Sequence, residues 1–163
     1  MTDHLGPAER FAVGAIGEPG QRTFYVHVVA DAASYWFVAE KGQIAALADY
    51  ALTALARANI LPDPDGMSLI LSRLELTEPE DPQFRIGAMS LAIQPQSDLM
   101  TLELVSIDGE EGVDFVIAPE QLQAAAIKGL EVVDHGRPIC PKCQLPMGLG
   151  DHKCPASNGH HPD

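Results

Sequence analysis

Apolar and polar positions along the chain follow two periods, and each change of period marks an element. Residues 10–16, 23–29 and 34–39 read as half-buried strands. In the second of these, Phe24, Val26 and Val28 alternate with Tyr25, His27 and Val29. The period lengthens over 41–58, where Ile44, Leu47, Ala48, Ala51, Leu52 and Leu55 fall at i, i+3, i+4, i+7, i+8 and i+11. That is one apolar stripe of a helix, with Asp49, Thr53 and Arg57 on the other side. The helix should end near Asn59, because Leu61-Pro62-Asp63-Pro64-Asp65-Gly66 cannot continue it. Residues 68–76 read as a further strand, and 78–82 as an acidic connector. Strand patterns return over 84–93, 100–107 and 113–117, separated by turns at Pro95-Gln96-Ser97-Asp98 and Asp108-Gly109-Glu110. A second helix opens at Pro119, with Glu120 in its first turn and Leu122, Ala126, Leu130 and Val133 on its inner face.

The same order, strand–strand–strand–helix, thus occurs over about 10–58 and again over 84–133. Phe11/Gly14 and Phe84/Gly87 carry F-x-x-G at an offset of 73 residues, which fits an internal duplication. The pattern predicts an α+β fold: an antiparallel sheet of six or seven strands built from the two repeats, with helices on one face. The body spans 1–133, and His135-Gly136-Arg137-Pro138 opens a tail within 134–163.

Charge sharpens this division. Seven of the ten Lys/Arg and twenty of the twenty-three Asp/Glu lie in 1–133, so the body carries the whole net charge of −13 and the tail balances. An acidic body lacks the basic footprint of a nucleic-acid binder. No apolar run approaches the roughly 18–20 residues of a membrane span, and Met1-Thr2-Asp3-His4 has no basic-then-apolar signal pattern. A cytoplasmic protein is the expectation.

The tail holds every cysteine: Cys140 and Cys143 in a C-x2-C turn, then His152 and Cys154. Three thiols and an imidazole complete a tetrahedral Zn2+ shell, and four protein ligands make such a site structural rather than catalytic. Pro141 stiffens the turn, while Pro146, Gly148 and Gly150 let the loop fold back. His152 and Cys154 lie two apart and must be bent to coordinate together, so His160 or His161 is the alternative fourth ligand. The competing readings are a redox pair and unligated thiols. A redox pair would sit at a helix start, whereas this C-x2-C lies in a Pro/Gly-rich stretch. The tail has few large apolar side chains, and a metal would hold such a segment together.

In three places the chain resembles the bacterial domain-of-unknown-function family numbered 3090. These are Gly17-Glu18-Pro19-Gly20-Gln21-Arg22-Thr23-Phe24-Tyr25, then Phe84-Arg85-Ile86-Gly87-Ala88-Met89, and a tail of C-x2-C followed by Gly150-Asp151-His152-Lys153-Cys154-Pro155 and Asn158-Gly159. The resemblance implies His152 rather than His160 as the metal ligand, because His-x-Cys belongs to the family pattern. The family has no assigned activity, so no reaction is implied.

Gly14, Gly17 and Gly20 precede a strand, not the helix a phosphate cradle needs, and read as a hairpin turn. Arg22 and Arg85 would project to a common anion or partner contact if the two repeats faced each other. His27 reads as a half-buried structural histidine, and no catalytic set stands at recognisable spacing. The expected function is a non-enzymatic binding or adaptor protein with structural zinc, its partner another protein. One alternative is single-stranded nucleic-acid binding on a whirly or Pur-like outline, which the net charge disfavours. The other is an enzyme acting on an anionic or phosphorylated small molecule through Arg22 and Arg85.

Overall fold

A computed structural model describes residues 2–18, 20–94 and 97–134, and the architecture below is that of the unit Met1–Val133. Seven strands are present: β1 (Thr2–Pro7), β2 (Arg10–Ile16), β3 (Thr23–Ala30), β4 (Ala33–Ala39), β5 (Phe84–Ile93), β6 (Met100–Ser106) and β7 (Gly112–Ile117). The helices are α1 (Lys41–Arg57), α2 (Pro64–Leu71) and α3 (Pro119–Val133). The order strand–strand–strand–helix does occur twice, as β2-β3-β4-α1 and β5-β6-β7-α3.

The strands form one sheet in the order β1-β7-β6-β5-β4-β3-β2. The expectation of a purely antiparallel sheet is wrong, because β4 pairs with β5 in parallel and β1 pairs with β7 in parallel. The reason at β4–β5 lies in the connection between two three-stranded meanders: a helical crossover returns the chain, so β5 runs beside β4 in the same direction and the meanders meet at a parallel seam. The chain crosses that seam through α1 and α2, as parallel neighbours require.

β1 and β2 occupy opposite ends of the sheet, yet only Ala8 and Glu9 separate them. Two residues reach about 10 Å at most, so the sheet must curl until its ends meet. Ala8 N donates to Val116 O of β7 at 2.8 Å, and Glu9 N donates to Val29 O of β3 at 2.7 Å. Gly6 N adds a bond to the Asp31 carboxylate in the β3–β4 turn at 3.1 Å. Asp31 and Ala32 both have positive φ, the mirror-image geometry that matches strand twist in a two-residue hairpin.

The concave side holds the main core. Phe11, Val26, Phe37, Leu102 and Phe115 of the sheet pack with Ile44, Leu47 and Leu55 of α1 and with Leu122 and Ala126 of α3. Gly129 lets α3 sit tight on β2, since a Cβ there would lie 3.2 Å from both Val13 Cγ2 and Ile44 Cγ2. Gln43 fixes the start of α1 by accepting from Glu40 N at 2.8 Å and donating to Ile86 O at 2.9 Å. At its other end Asn59 takes positive φ, and Ile60 N returns to Leu55 O at 3.0 Å.

α1 and α3 therefore share one face, as expected, but the third helix does not. The reading of 68–76 as a strand is corrected: Pro64–Leu71 is helical, capped by the Asp63 carboxylate, which accepts from Gly66 N at 2.9 Å. A short apolar run cannot by itself choose between helix and strand, and here the Asp-Pro start decides. α2 and Leu74 pack with Ala12 and Ala124 in a second cluster. Ala12 alternates with Phe11 and Val13, so this cluster lies on the convex side of β2. The described part of the fold is thus mixed α+β, with seven strands and three helices.

Candidate functional site

The most organised polar cluster on the convex side centres on Arg10, the first residue of β2. Strand pairing sets Arg10 opposite Val29 and His27 opposite Trp36. The Arg10 guanidinium donates through Nε to His27 Nδ1 at 3.3 Å, through Nη1 to Arg73 O, and through Nη2 to Glu75 O at 2.9 Å. It thereby pins the segment that runs from α2 towards β5. Gln83 N, at the far end of that segment, donates to Trp36 O at 2.7 Å.

His27 is 8% exposed and stacks on Trp36, with ring centroids 4.1 Å apart. Nδ1 accepts from Arg10, so the proton of the neutral ring belongs on Nε2, where it meets Ser34 Oγ at 2.6 Å. Burial, reinforced by the adjacent Arg10 charge, lowers His27 to about 4. Both ring nitrogens are engaged and the ring is neutral at pH 7. That is a clamp rather than a proton shuttle, as the half-buried structural reading of His27 anticipates.

Three exposed groups are also shifted by their neighbours. His4 is raised by its hydrogen bond to Asp114 at 2.7 Å and by that carboxylate's charge. Asp108 is lowered by the hydrogen bond from Ser106 Oγ at 2.6 Å and by Glu110 N. Glu75 is lowered by Lys128, 2.7 Å away.

On the concave side a groove of roughly 370 Å³ opens between α1 and the β5–β6 hairpin. Ala46, Leu47 and Tyr50 form one wall, Met89, Ser90 and Leu91 the other, with Leu102 also lining it. Tyr50 stands at 57% exposure, high for a large aromatic residue on a core-facing helix. The contrast with the other half of the sheet is direct. There, α3 closes onto β2 through Gly129, and among the described residues nothing comparable fills the space over Met89 and Leu91.

The two arginines singled out in the sequence have different partners. Arg22 donates to Val132 O at the end of α3 at 3.1 Å and lies 5.7 Å from the centroid of the Phe24 ring. Arg85 pairs with Glu40 at 2.8 Å, with both side chains largely in solvent. Cys140, Cys143, His152, Cys154, His160 and His161 lie outside the described residues. Among those that are described, no group of three His, Cys, Asp or Glu is placed to hold a metal, and no helix is long and apolar enough to cross a membrane. Sequence reasoning missed Arg10 and Tyr50 as site residues. Arg10 gave only the signal of a cation opening an apolar strand, and Tyr50 sat one step outside the apolar stripe of α1.

The DUF3090 family, described as a protein of unknown function, matches residues 4–154. The chain belongs to the DUF3090 family. The matched span covers every described element from within β1 onward and continues through the tail to end on Cys154, so Cys140, Cys143 and His152 lie inside it, while His160 and His161 lie beyond. No curated protein and no solved structure matches the chain. DUF3090 membership thus brings no activity with it, and the functional argument rests on the residues of this chain.

Proposed function

We propose that the chain is a non-enzymatic binding or adaptor protein whose C-terminal tail carries a structural zinc ion on Cys140, Cys143, His152 and Cys154. The observation that carries the binding role is the groove between α1 and β5–β6. A water-exposed cleft walled by Leu47, Tyr50, Met89 and Leu91 is costly to leave open and suits the apolar anchor of a partner. The occupant we assign is a basic protein segment that inserts an apolar side chain. The body's net charge of −13 attracts such a segment and repels an acidic one or a nucleic acid. Engagement of both His27 nitrogens supports a binding rather than a catalytic role for the polar cluster.

The zinc reading is supported by the donor set and by the family match, which ends on Cys154 and leaves His160 and His161 outside. Three thiolates and one imidazole form a closed tetrahedral shell that leaves no position for substrate.

The test uses the full-length tagged chain beside Tyr50→Glu, an exposed substitution that should leave the melting temperature unchanged. Quantitative mass spectrometry of co-purified proteins is run at low and high salt. The expected result is a basic partner held by the wild type, weakened by salt and lost with Tyr50→Glu. Absence of any Tyr50-dependent partner, or turnover of a small molecule by the purified chain, would defeat the proposal. Elemental analysis tests the metal separately: His152→Ala should lose zinc and His160→Ala should keep it.

A further inference from the structure

A second cleft, on the convex side, has a different chemistry. It encloses roughly 310 Å³ where the β1–β2 junction meets α2 and the first turn of α3. Ile70 and Leu74 give it an apolar floor, and Leu69, 54% exposed, stands at its edge. Arg10 and Arg73 both line it.

The charge balance here is unusual for so acidic a protein. Arg10 bonds to two backbone carbonyls and to a neutral imidazole, none of which carries a countercharge. Its pKa is lowered by burial, with no carboxylate opposing that cost. The Arg73 side chain forms no hydrogen bond or ion pair among the described residues. Glu9 and Gln121 complete the rim. Glu9 forms no ion pair with either arginine among the described residues, and Gln121 is occupied by Ala118 N and Ala8 O. Two arginines that form no ion pair among the described residues therefore overlook an apolar floor, with Glu9 on the rim.

We propose that this cleft binds a small carboxylate with an apolar body. A guanidinium has five N–H donors, and Arg10 spends three of them, so two remain for a carboxylate oxygen. Its other bonds hold it in place before a ligand arrives, which removes part of the ordering cost of binding. Arg73, free to swing, supplies the second cation. The floor of Ile70 and Leu74, with Leu69 at its edge, takes up the apolar body, and the volume sits at the lower end of ligand pockets, about 300 Å³. This site is independent of the groove beside Tyr50.

The probe is 3-phenylpropionate, set against acetate and 3-phenylpropan-1-ol. Binding to the full chain is measured by calorimetry, and ligand-induced stabilisation by thermal melting. Only 3-phenylpropionate should raise the melting temperature, and its affinity should fall with salt. Arg73→Ala should weaken it by about tenfold, the loss expected for one charge-assisted hydrogen-bonding partner. The Arg73 carbonyl, not its side chain, holds Arg10, so the unliganded variant should melt like the wild type. An equal response to the alcohol would remove the role of the arginines, and an equal response to acetate would remove that of the floor. No response to 3-phenylpropionate, or an unchanged affinity in Arg73→Ala, would overturn the proposal.

Discussion

Acid should weaken the fold through His27, and the size of the effect follows from its surroundings. The ring is neutral, clamped by Arg10 and Ser34 and stacked on Trp36. A proton on Nδ1 would abolish the bond from Arg10 and set two cations against each other. The folded value of about 4 lies below the ordinary 6.5, so the unfolded chain binds the proton more readily. Stability is therefore complete above pH 6.5 and is lost as pH falls towards 4. At 1.36 kcal/mol per unit, that difference is worth roughly 3 kcal/mol in total, of which about 2 kcal/mol is lost by pH 5. Glu75 and Asp108, whose values are lowered, contribute stability that disappears only in the more acidic carboxylate range. The window from pH 6.5 to 5 thus isolates the histidine from those carboxylates. His4, raised by Asp114, acts with the opposite sign, its contribution being present at low pH and lost as pH rises through its folded value. Urea unfolding of the wild type and of His27→Gln across this window gives the difference, in which His4 and the tail histidines cancel. The wild type should lose about 2 kcal/mol more than the variant. Parallel curves for the two proteins would refute the argument.

Three further outcomes follow from the packing. Arg10→Met keeps the aliphatic stem but removes its bonds to Arg73 O, Glu75 O and His27. It should cost about 2–4 kcal/mol and hasten proteolysis within 72–83, read by limited digestion. Gly129→Val forces side-chain atoms against Val13 and Ile44 and should cost about 1–3 kcal/mol in urea unfolding. Arg85→Ala breaks only the solvent-exposed pair with Glu40, so its unfolding midpoint should stay within about 1 kcal/mol of the wild type.

Local pattern carried much of this fold. The alternation of Phe24, Val26 and Val28 names the buried face of β3, and the stripe from Ile44 to Leu55 names the buried face of α1. Both are legible because a side chain's direction follows from backbone period alone. β1 was not legible. Thr-Asp-His-Leu-Gly-Pro has no clear alternation, and it is a strand because β7 offers an edge to pair with. α2 was misread because a run as short as Ser-Leu-Ile-Leu has no decisive period. The parallel seam was implicit in two successive meanders, but only the pairing of Phe37 with Phe84 established it. For the sites the division is the same. The zinc site proposed for the tail rests on Cys/His spacing alone, because donors close in sequence can be proposed as a metal site without any long-range contact. Arg10 and Arg73 stand 63 positions apart, and no local period links them. By itself, then, the sequence determined the strands and helices whose period is long enough to read, β2–β7, α1 and α3, and which of their faces are apolar. The curling of the sheet, the seating of α2 over Ala12, and the meeting of Arg10 and Arg73 beside Ile70 and Leu74 were decided by tertiary structure, because each depends on contacts between distant segments.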